Sequence, residues 1–237
     1  MVSHEFFSSV EFFQVFSPDA LQRFADVAKT RTYHRGDAVF AEEDPANELF
    51  VVKSGRIAIA NRNMDRESLL ALMGPGDLFG EMPMFDGMGR SAGARGLETS
   101  EVVSVPYPTM KAELSGDAEA LWNVVALLAR RLRGADEALA DSVFLDVTGR
   151  TAKRLLEIAG DGDEFQLPVT QEELAGMIGA SRERVNKAIA QFVKLGWMEQ
   201  HERTYRIKPK IDTLPIDQRS EQPLAQQACA QDRKSVV

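Results

Sequence analysis

TQEELAGMIGASRERVNKAI, residues 170–189, is the stretch whose pattern sets the architecture. Thr170 is suited to cap a helix, and Glu173, three residues on, completes a capping box in which each end satisfies a backbone N–H of the other. Leu174 and Ile178 supply the apolar face of one helix, Val185 and Ile189 that of a second. Gly179 falls between them, where a sharp turn tolerates positive φ. The second helix starts at Ser181 and sends Arg182, Glu183, Asn186 and Lys187 outward from its first turns. Two helices joined this way, with polar side chains at the start of the second, fit a helix-turn-helix whose second helix reaches base edges. An arginine there can bridge guanine O6 and N7, and a glutamate can accept from a cytosine amino group. Thr170, Gln171 and Ser181, at the two helix starts, join the candidate DNA contacts. The plain alternative is a surface helix of mixed charge.

The flanking sequence extends this module. Trp197–Gln200 and Thr204–Ile207 form a hairpin turning at His201-Glu202-Arg203. Upstream, Asp146 looks like the N-cap of a helix with Val147, Ala152, Leu155 and Leu156 on its apolar side, ended by Gly160-Asp161-Gly162-Asp163. A strand is expected at Phe165–Val169. Before Asp146, the residues Leu121, Val125, Leu128, Leu132, Ala135 and Leu139 are spaced alternately four and three apart. That period of about 3.5 marks a coiled-coil seam, so Leu121, Val125, Leu128, Leu132 and Leu139 are expected at a dimer interface. A single amphipathic helix packed on its own domain is the alternative. Gly134 weakens this helix by about 1 kcal/mol relative to alanine.

The N-terminal half has another texture. Pro18–Thr30 is helical in pattern, and from Tyr33 to Tyr107 short apolar runs recur: Ala38–Ala41, Glu48–Val52, Arg56–Ala60, Leu69–Met73 and Val102–Pro106. Turn signals such as Arg35-Gly36-Asp37 and Gly74-Pro75-Gly76-Asp77 separate them, suggesting a small β-sandwich or roll. Within it lies GDLFGEMPMF, residues 76–85, followed by Arg90-Ser91-Ala92. Gly80 permits close backbone approach to a ligand, and Pro83 is placed as the first residue of a short helix whose N-terminus favours an anion. Arg90 is the natural partner for that anion and Ser91 adds a hydroxyl. A turn with a structural salt bridge is the alternative.

Composition narrows the function. Net charge is −8, but residues 146–211 carry 11 basic against 10 acidic side chains, leaving 17 against 26 elsewhere. Ser181–Lys194 holds four basic residues against one acidic, a basic helix on an acidic body. The single cysteine, Cys229, excludes an internal disulfide, a thiolate zinc site and a cysteine-ligated iron–sulfur cluster. His4, His34 and His201 are far apart, so no metal site is expected. No apolar run reaches the roughly 18 residues of a membrane span. The start, MVSHEFFSSVEFFQVF, lacks the features of a signal peptide, and a cytoplasmic protein is expected.

GDLFGEMPMF with Arg90-Ser91-Ala92 resembles the phosphate-binding cassette of cyclic-nucleotide-binding domains. ARRL at 129–132, FLDVTGR at 144–150 and the 170–189 stretch are similar to the cyclic-AMP receptor protein branch of the CRP/FNR regulators. Asn186-Lys187 followed by Gly196-Trp197 is most like its actinobacterial members. The likeness runs collinearly over about residues 10–208.

The resemblance implies an α+β chain. A cyclic-nucleotide-binding β-roll at 1–115 precedes a dimerisation helix at 116–145 and a winged helix-turn-helix at 146–211; beyond the likeness, the Gln-, Ser-, Asp- and Pro-rich composition of 212–237 itself reads as a disordered tail. It implies a homodimer on a double-stranded, TGTGA-like palindromic operator, switched by cyclic AMP, with no covalent or metal cofactor and no enzymatic activity. Whether it activates or represses then depends on operator position and contacts with RNA polymerase. Glu81 would hold the ribose 2′-hydroxyl; Arg90, Ser91 and the Ala92 amide the cyclic phosphate, with Gly80 and Met82 beside them. Arg182, Glu183 and Lys187 would read the half-site, and Asp146 would sit at the hinge. Three positions depart from the pattern. Pro83 stands where a small residue offers a backbone N–H, and proline has none. Ala135 and Asp136 replace a Thr-Ser or Thr-Asn pair that contacts adenine. The rival reading is an apo-active regulator whose pocket is vestigial or serves another small ligand.

Overall fold

A computed structural model describes residues 2–63, 66–202 and 204–208, and its elements follow the changes of texture along the chain. Helices α1 (His4–Ser8) and α2 (Pro18–Val27) come first, with a 3-10 turn at Glu11–Phe13 between them. Ser17 caps α2 by accepting from the Ala20 amide at 3.2 Å, and Pro18 supplies a preset φ at the first turn. The helical pattern expected to Thr30 stops at Val27, because Lys29 and Thr30 already pair in a strand. Strands β1 (Lys29–Tyr33), β2 (Ala38–Phe40), β3 (Glu48–Ser54), β4 (Ile57–Asn63), β5 (Arg66–Met73) and β6 (Leu78–Phe79) follow. Then come α3 (Met82–Asp86), β7 (Gly93–Gly96), β8 (Ser100–Pro106), α4 (Tyr107–Gly116) and the long α5 (Ala118–Phe144).

Two antiparallel sheets result, one ordered β1-β8-β3-β6 and the other β2-β7-β4-β5. Strand β3 shows why Glu48–Val52 reads as a continuous apolar run. Leu49 and Val51 face the helices, together with Phe7, Phe13, Phe24, Met110 and Val124. Phe50 and Val52, on the opposite face, pack with Ile57, Phe79, Ala94 and Val102 of the roll interior. Alternation sends neighbouring residues to opposite faces, and here both are covered. The phenylalanines of the N-terminal segment form an edge-to-face cluster, with Phe13 and Phe16 at 5.3 and 5.1 Å from Phe24 between centroids.

The chain's internal packing divides between Arg133 and Gly134, inside α5. On its first half, Ala120 and Val124 are buried against the first unit's core, and Leu127 and Leu128 are partly buried there. The remaining leucines and the valine of the expected seam are open: Leu121, Val125, Leu132 and Leu139 are 43%, 51%, 64% and 65% exposed. Leu128 therefore differs from the rest of the seam, sharing itself with its own domain. Trp122, Val143 and Phe144 are exposed too.

In the second unit Asp146 caps α6 (Val147–Ala159), accepting from the Gly149 amide at 2.7 Å. Gly160, at φ 59°, ends it. The expected strand at Phe165–Val169 is β9, shifted to Glu164–Gln166; Leu167 and Val169 are buried individually rather than in a ladder. After α7 (Gln171–Ile178) and α8 (Arg182–Lys194), strands β10 (Met198–His201) and β11 (Thr204–Ile207) form the hairpin, and β9 joins β11. Tyr205 opposes Phe165, their rings stacked at 5.6 Å. No described helix is long and apolar enough to cross a membrane. The tail expected at 212–237, with Cys229, lies outside the described residues, as does Arg203 of the hairpin turn.

Candidate nucleotide cleft and nucleic-acid interface

The cassette residues line an open cleft at the surface of the roll. Phe40, Ile59, Met73 and Phe79 form its apolar wall, facing Gly80, Glu81, Met82, Arg90, Ser91 and Ala92. Gly80 holds φ 74°, which L side chains rarely adopt, and a Cβ there would stand 2.6 Å from Arg90 Nη1 and force the guanidinium to shift. Pro83 is the second residue of α3 rather than the first; Glu81 is its N-cap and Met82 its first residue.

Arg90 is 4% exposed. Its Nη1 donates to the Gly80 carbonyl at 2.7 Å and to the Tyr107 hydroxyl at 3.1 Å, and Nη2 donates to the Glu48 carbonyl at 2.8 Å. The guanidinium lies 4.1 Å from the Phe40 ring centroid. Burial pushes Arg90 below its ordinary value, opposed by the neighbouring Tyr107 and Glu48. Burial likewise raises the Tyr107 hydroxyl, against the pull of Arg90. The Nε–H of Arg90 is buried with no partner. Glu81, 2% exposed, pairs through Oε1 with Arg131 of α5, which also donates to the Leu78 carbonyl. Its Oε2 is buried with no partner. Two residues that line the cleft thus each carry one buried polar atom with no partner in the protein, an arrangement that is costly unless something satisfies it.

Ser91 is exposed and its hydroxyl donates to Met82 Sδ at 3.5 Å; Ala92 is buried. Ala135 and Asp136 lie exposed on α5, outside the cleft lining. The sequence reading did not single out Tyr107, Phe40 or Arg131. Arg131 lies within the ARRL motif; Tyr107 is 27 residues from Gly80 and carries no local signal.

In the second unit the capping box forms as expected. The Glu173 amide donates to Thr170 Oγ1 at 3.2 Å, and the Thr170 amide donates to Glu173 Oε2 at 2.7 Å. The Thr170 hydroxyl also donates to that carboxylate at 2.9 Å, which occupies its one hydrogen. Gly179 turns the chain at φ 68°. Ser181 caps α8 by accepting from the Arg184 amide at 3.4 Å, and Arg182, Glu183 and Lys187 are exposed at its start. Asn186 departs from the expectation. It is half-buried rather than outward, about a quarter-turn from the buried Val185, and its Oδ1 is buried with no partner. Arg184, not anticipated, is exposed beside Arg182. Gln171 is half-buried.

Residues 30–117 match the family described as the cyclic nucleotide-binding domain, and residues 149–210 match the Crp-like helix-turn-helix domain. The CRP-like cAMP-activated global transcriptional regulator of Mycobacterium tuberculosis is 38% identical over 194 residues, covering 78% of this chain and 87% of its own. The cyclic AMP receptor protein of Thermus thermophilus is 31% identical over 185 residues, 78% of this chain and 86% of its own. Among solved structures, the c-di-GMP responsive global regulator CLP of Xanthomonas campestris has a TM-score of 0.71 at 26% identity, covering 82% of this chain and 100% of that one.

Proposed function

The chain belongs to the CRP/FNR family of DNA-binding transcription regulators, and from that premise we propose that it is a homodimeric regulator whose DNA binding is switched by cyclic AMP. The pair of orphaned buried atoms in one cleft, Glu81 Oε2 and Arg90 Nε, carries the reading. A cyclic nucleotide brings a ribose hydroxyl to satisfy the first and an anionic phosphate to satisfy the second. Arg90 commits both Nη1 hydrogens and one Nη2 hydrogen to the protein, which leaves Nε–H and the second Nη2 hydrogen for phosphate oxygens. Arg131 ties Glu81 to α5, so occupation of the cleft bears directly on the long helix.

The exposed Leu121, Val125, Leu132 and Leu139 support pairing of that helix with a second copy, Leu128 contributing in part. Residues 1–115 are then the sensing module, 116–145 the dimerisation helix and 146–211 the DNA module. Arg182, Glu183 and Lys187 read each half of a TGTGA-like palindrome, Gln171 and Ser181 meet phosphates, and the protein works in the cytoplasm. Asn186 flanks the recognition face, and Thr170 serves first as a cap. A regulator that binds DNA without cyclic AMP is the second reading, favoured by Pro83 in the cassette and by the loss of hydroxyls at Ala135 and Asp136.

Titration of the operator at fixed salt separates the two. Cyclic AMP is expected to tighten binding at least tenfold, about 1.4 kcal/mol of coupling. Tight binding indifferent to nucleotide would establish the second reading, and no preference for the palindrome would overturn both.

A further inference from the structure

Tyr107 lies outside the cassette, at the first residue of α4, yet its hydroxyl enters the arginine's hydrogen-bond cluster. It donates to the Gly80 carbonyl at 2.5 Å and accepts from Arg90 Nη1 at 3.1 Å, while Nη1 donates to the same carbonyl at 2.7 Å. These three groups close a buried triangle. Among the described residues, the other hydrogen bonds of Arg90 are to backbone groups. The Glu43 amide donates to the Arg90 carbonyl at 2.8 Å, the Arg90 amide to Asp44 at 3.1 Å, and Nη2 to Glu48 at 2.8 Å. Tyr107 is itself fixed by its own amide, which donates to the Asn47 carbonyl at 2.9 Å. Among the described residues, it is the side chain that hydrogen-bonds the guanidinium.

We infer that Tyr107 is a positioning residue, holding Nη1 on the protein so that the Nε edge of Arg90 faces the ligand's phosphate. The inference rests on the cyclic-nucleotide reading above. Without the hydroxyl, one Nη1 hydrogen loses its acceptor and the planar fork gains freedom to rotate away from two phosphate oxygens at once.

Tyr107→Phe tests it, because the ring and its packing stay while one oxygen goes. Calorimetric titrations would use cyclic AMP and the two phosphorothioate diastereomers in which sulfur replaces one or the other non-bridging oxygen. The variant is expected to bind cyclic AMP roughly 3- to 10-fold more weakly. Its preference between the diastereomers is expected to shrink by a similar factor; the thermal midpoint is expected to fall as well, because a buried Nη1 hydrogen is left without its acceptor, so the titrations are run well below the melting transition. Unaltered affinity and preference would overturn the inference. So would weaker binding with the diastereomer preference intact, since that describes a structural residue with no hold on the fork. A wild-type protein that binds none of the three ligands would instead overturn the cyclic-nucleotide reading, and the inference with it.

Discussion

Arg90→Leu is expected to remove the response to cyclic AMP while leaving ligand-independent DNA binding in place. Two charge-assisted hydrogen bonds from the Nε edge to phosphate are each worth about 1.5–3 kcal/mol, so their loss weakens binding roughly 10²- to 10⁴-fold. Leucine suits the site sterically, since Arg90 already lies on Phe40 and near Phe50. The Gly80 carbonyl keeps the Tyr107 hydroxyl as donor, whereas the Glu48 carbonyl loses Arg90 Nη2. That orphaned acceptor costs about 1–3 kcal/mol of stability, and the variant must be assayed well below its melting transition. Calorimetry reports the affinity, and an operator gel shift without nucleotide reports the DNA module. A variant that still tightens on DNA with cyclic AMP would mean that the phosphate is held elsewhere. Arg90→Lys keeps the charge without the fork and is expected to fall between the two.

The parts of this fold that were legible in the sequence are those whose cause is local. Thr170 and Glu173 are three residues apart, so their reciprocal hydrogen bonds can be read without knowing the rest of the chain. Asp146 as a cap and Gly179 as a turn follow the same logic. The strand at Lys29–Thr30 was hidden because β1 is paired by β8, some seventy residues on, and its own side chains are mostly exposed. Strand β7 includes Gly93 and Gly96 and owes its place to β2 and β4 on either side. The same division runs through the cleft. Glu81, Arg90 and Ser91 stand in a recognisable motif, whereas the carbonyls of Gly80 and Glu48 that hold Arg90 are backbone groups with no side-chain signature. Asn186 was misplaced because a 3.6-residue period puts it at the border of the buried face, where neighbours decide its burial.

Arg182→Ala is expected to have the largest effect on DNA. At the first residue of α8, Arg182 combines an exposed guanidinium with the positive end of a helix capped by Ser181. A bidentate contact to guanine discriminates by about 1–3 kcal/mol per base pair. A homodimer makes that contact twice, so the loss on a palindrome amounts to about 2–6 kcal/mol, roughly 30- to 10⁴-fold. Preference at one base pair of each half-site should relax, while cyclic AMP affinity stays as in the wild type, because the cleft is built from Phe40–Arg131. A lysine or arginine on phosphate behaves differently: its removal weakens all sequences alike and lowers the salt dependence by about one counterion per contact. The exposed Arg184 is the residue expected to follow that second pattern. Binding of each variant to the palindrome, to single-base variants of it and to random DNA, at several salt concentrations, separates the two. If Arg182→Ala weakened random DNA as much as the palindrome, Arg182 would be the phosphate contact. The base-reading register would then shift to Glu183 and Lys187.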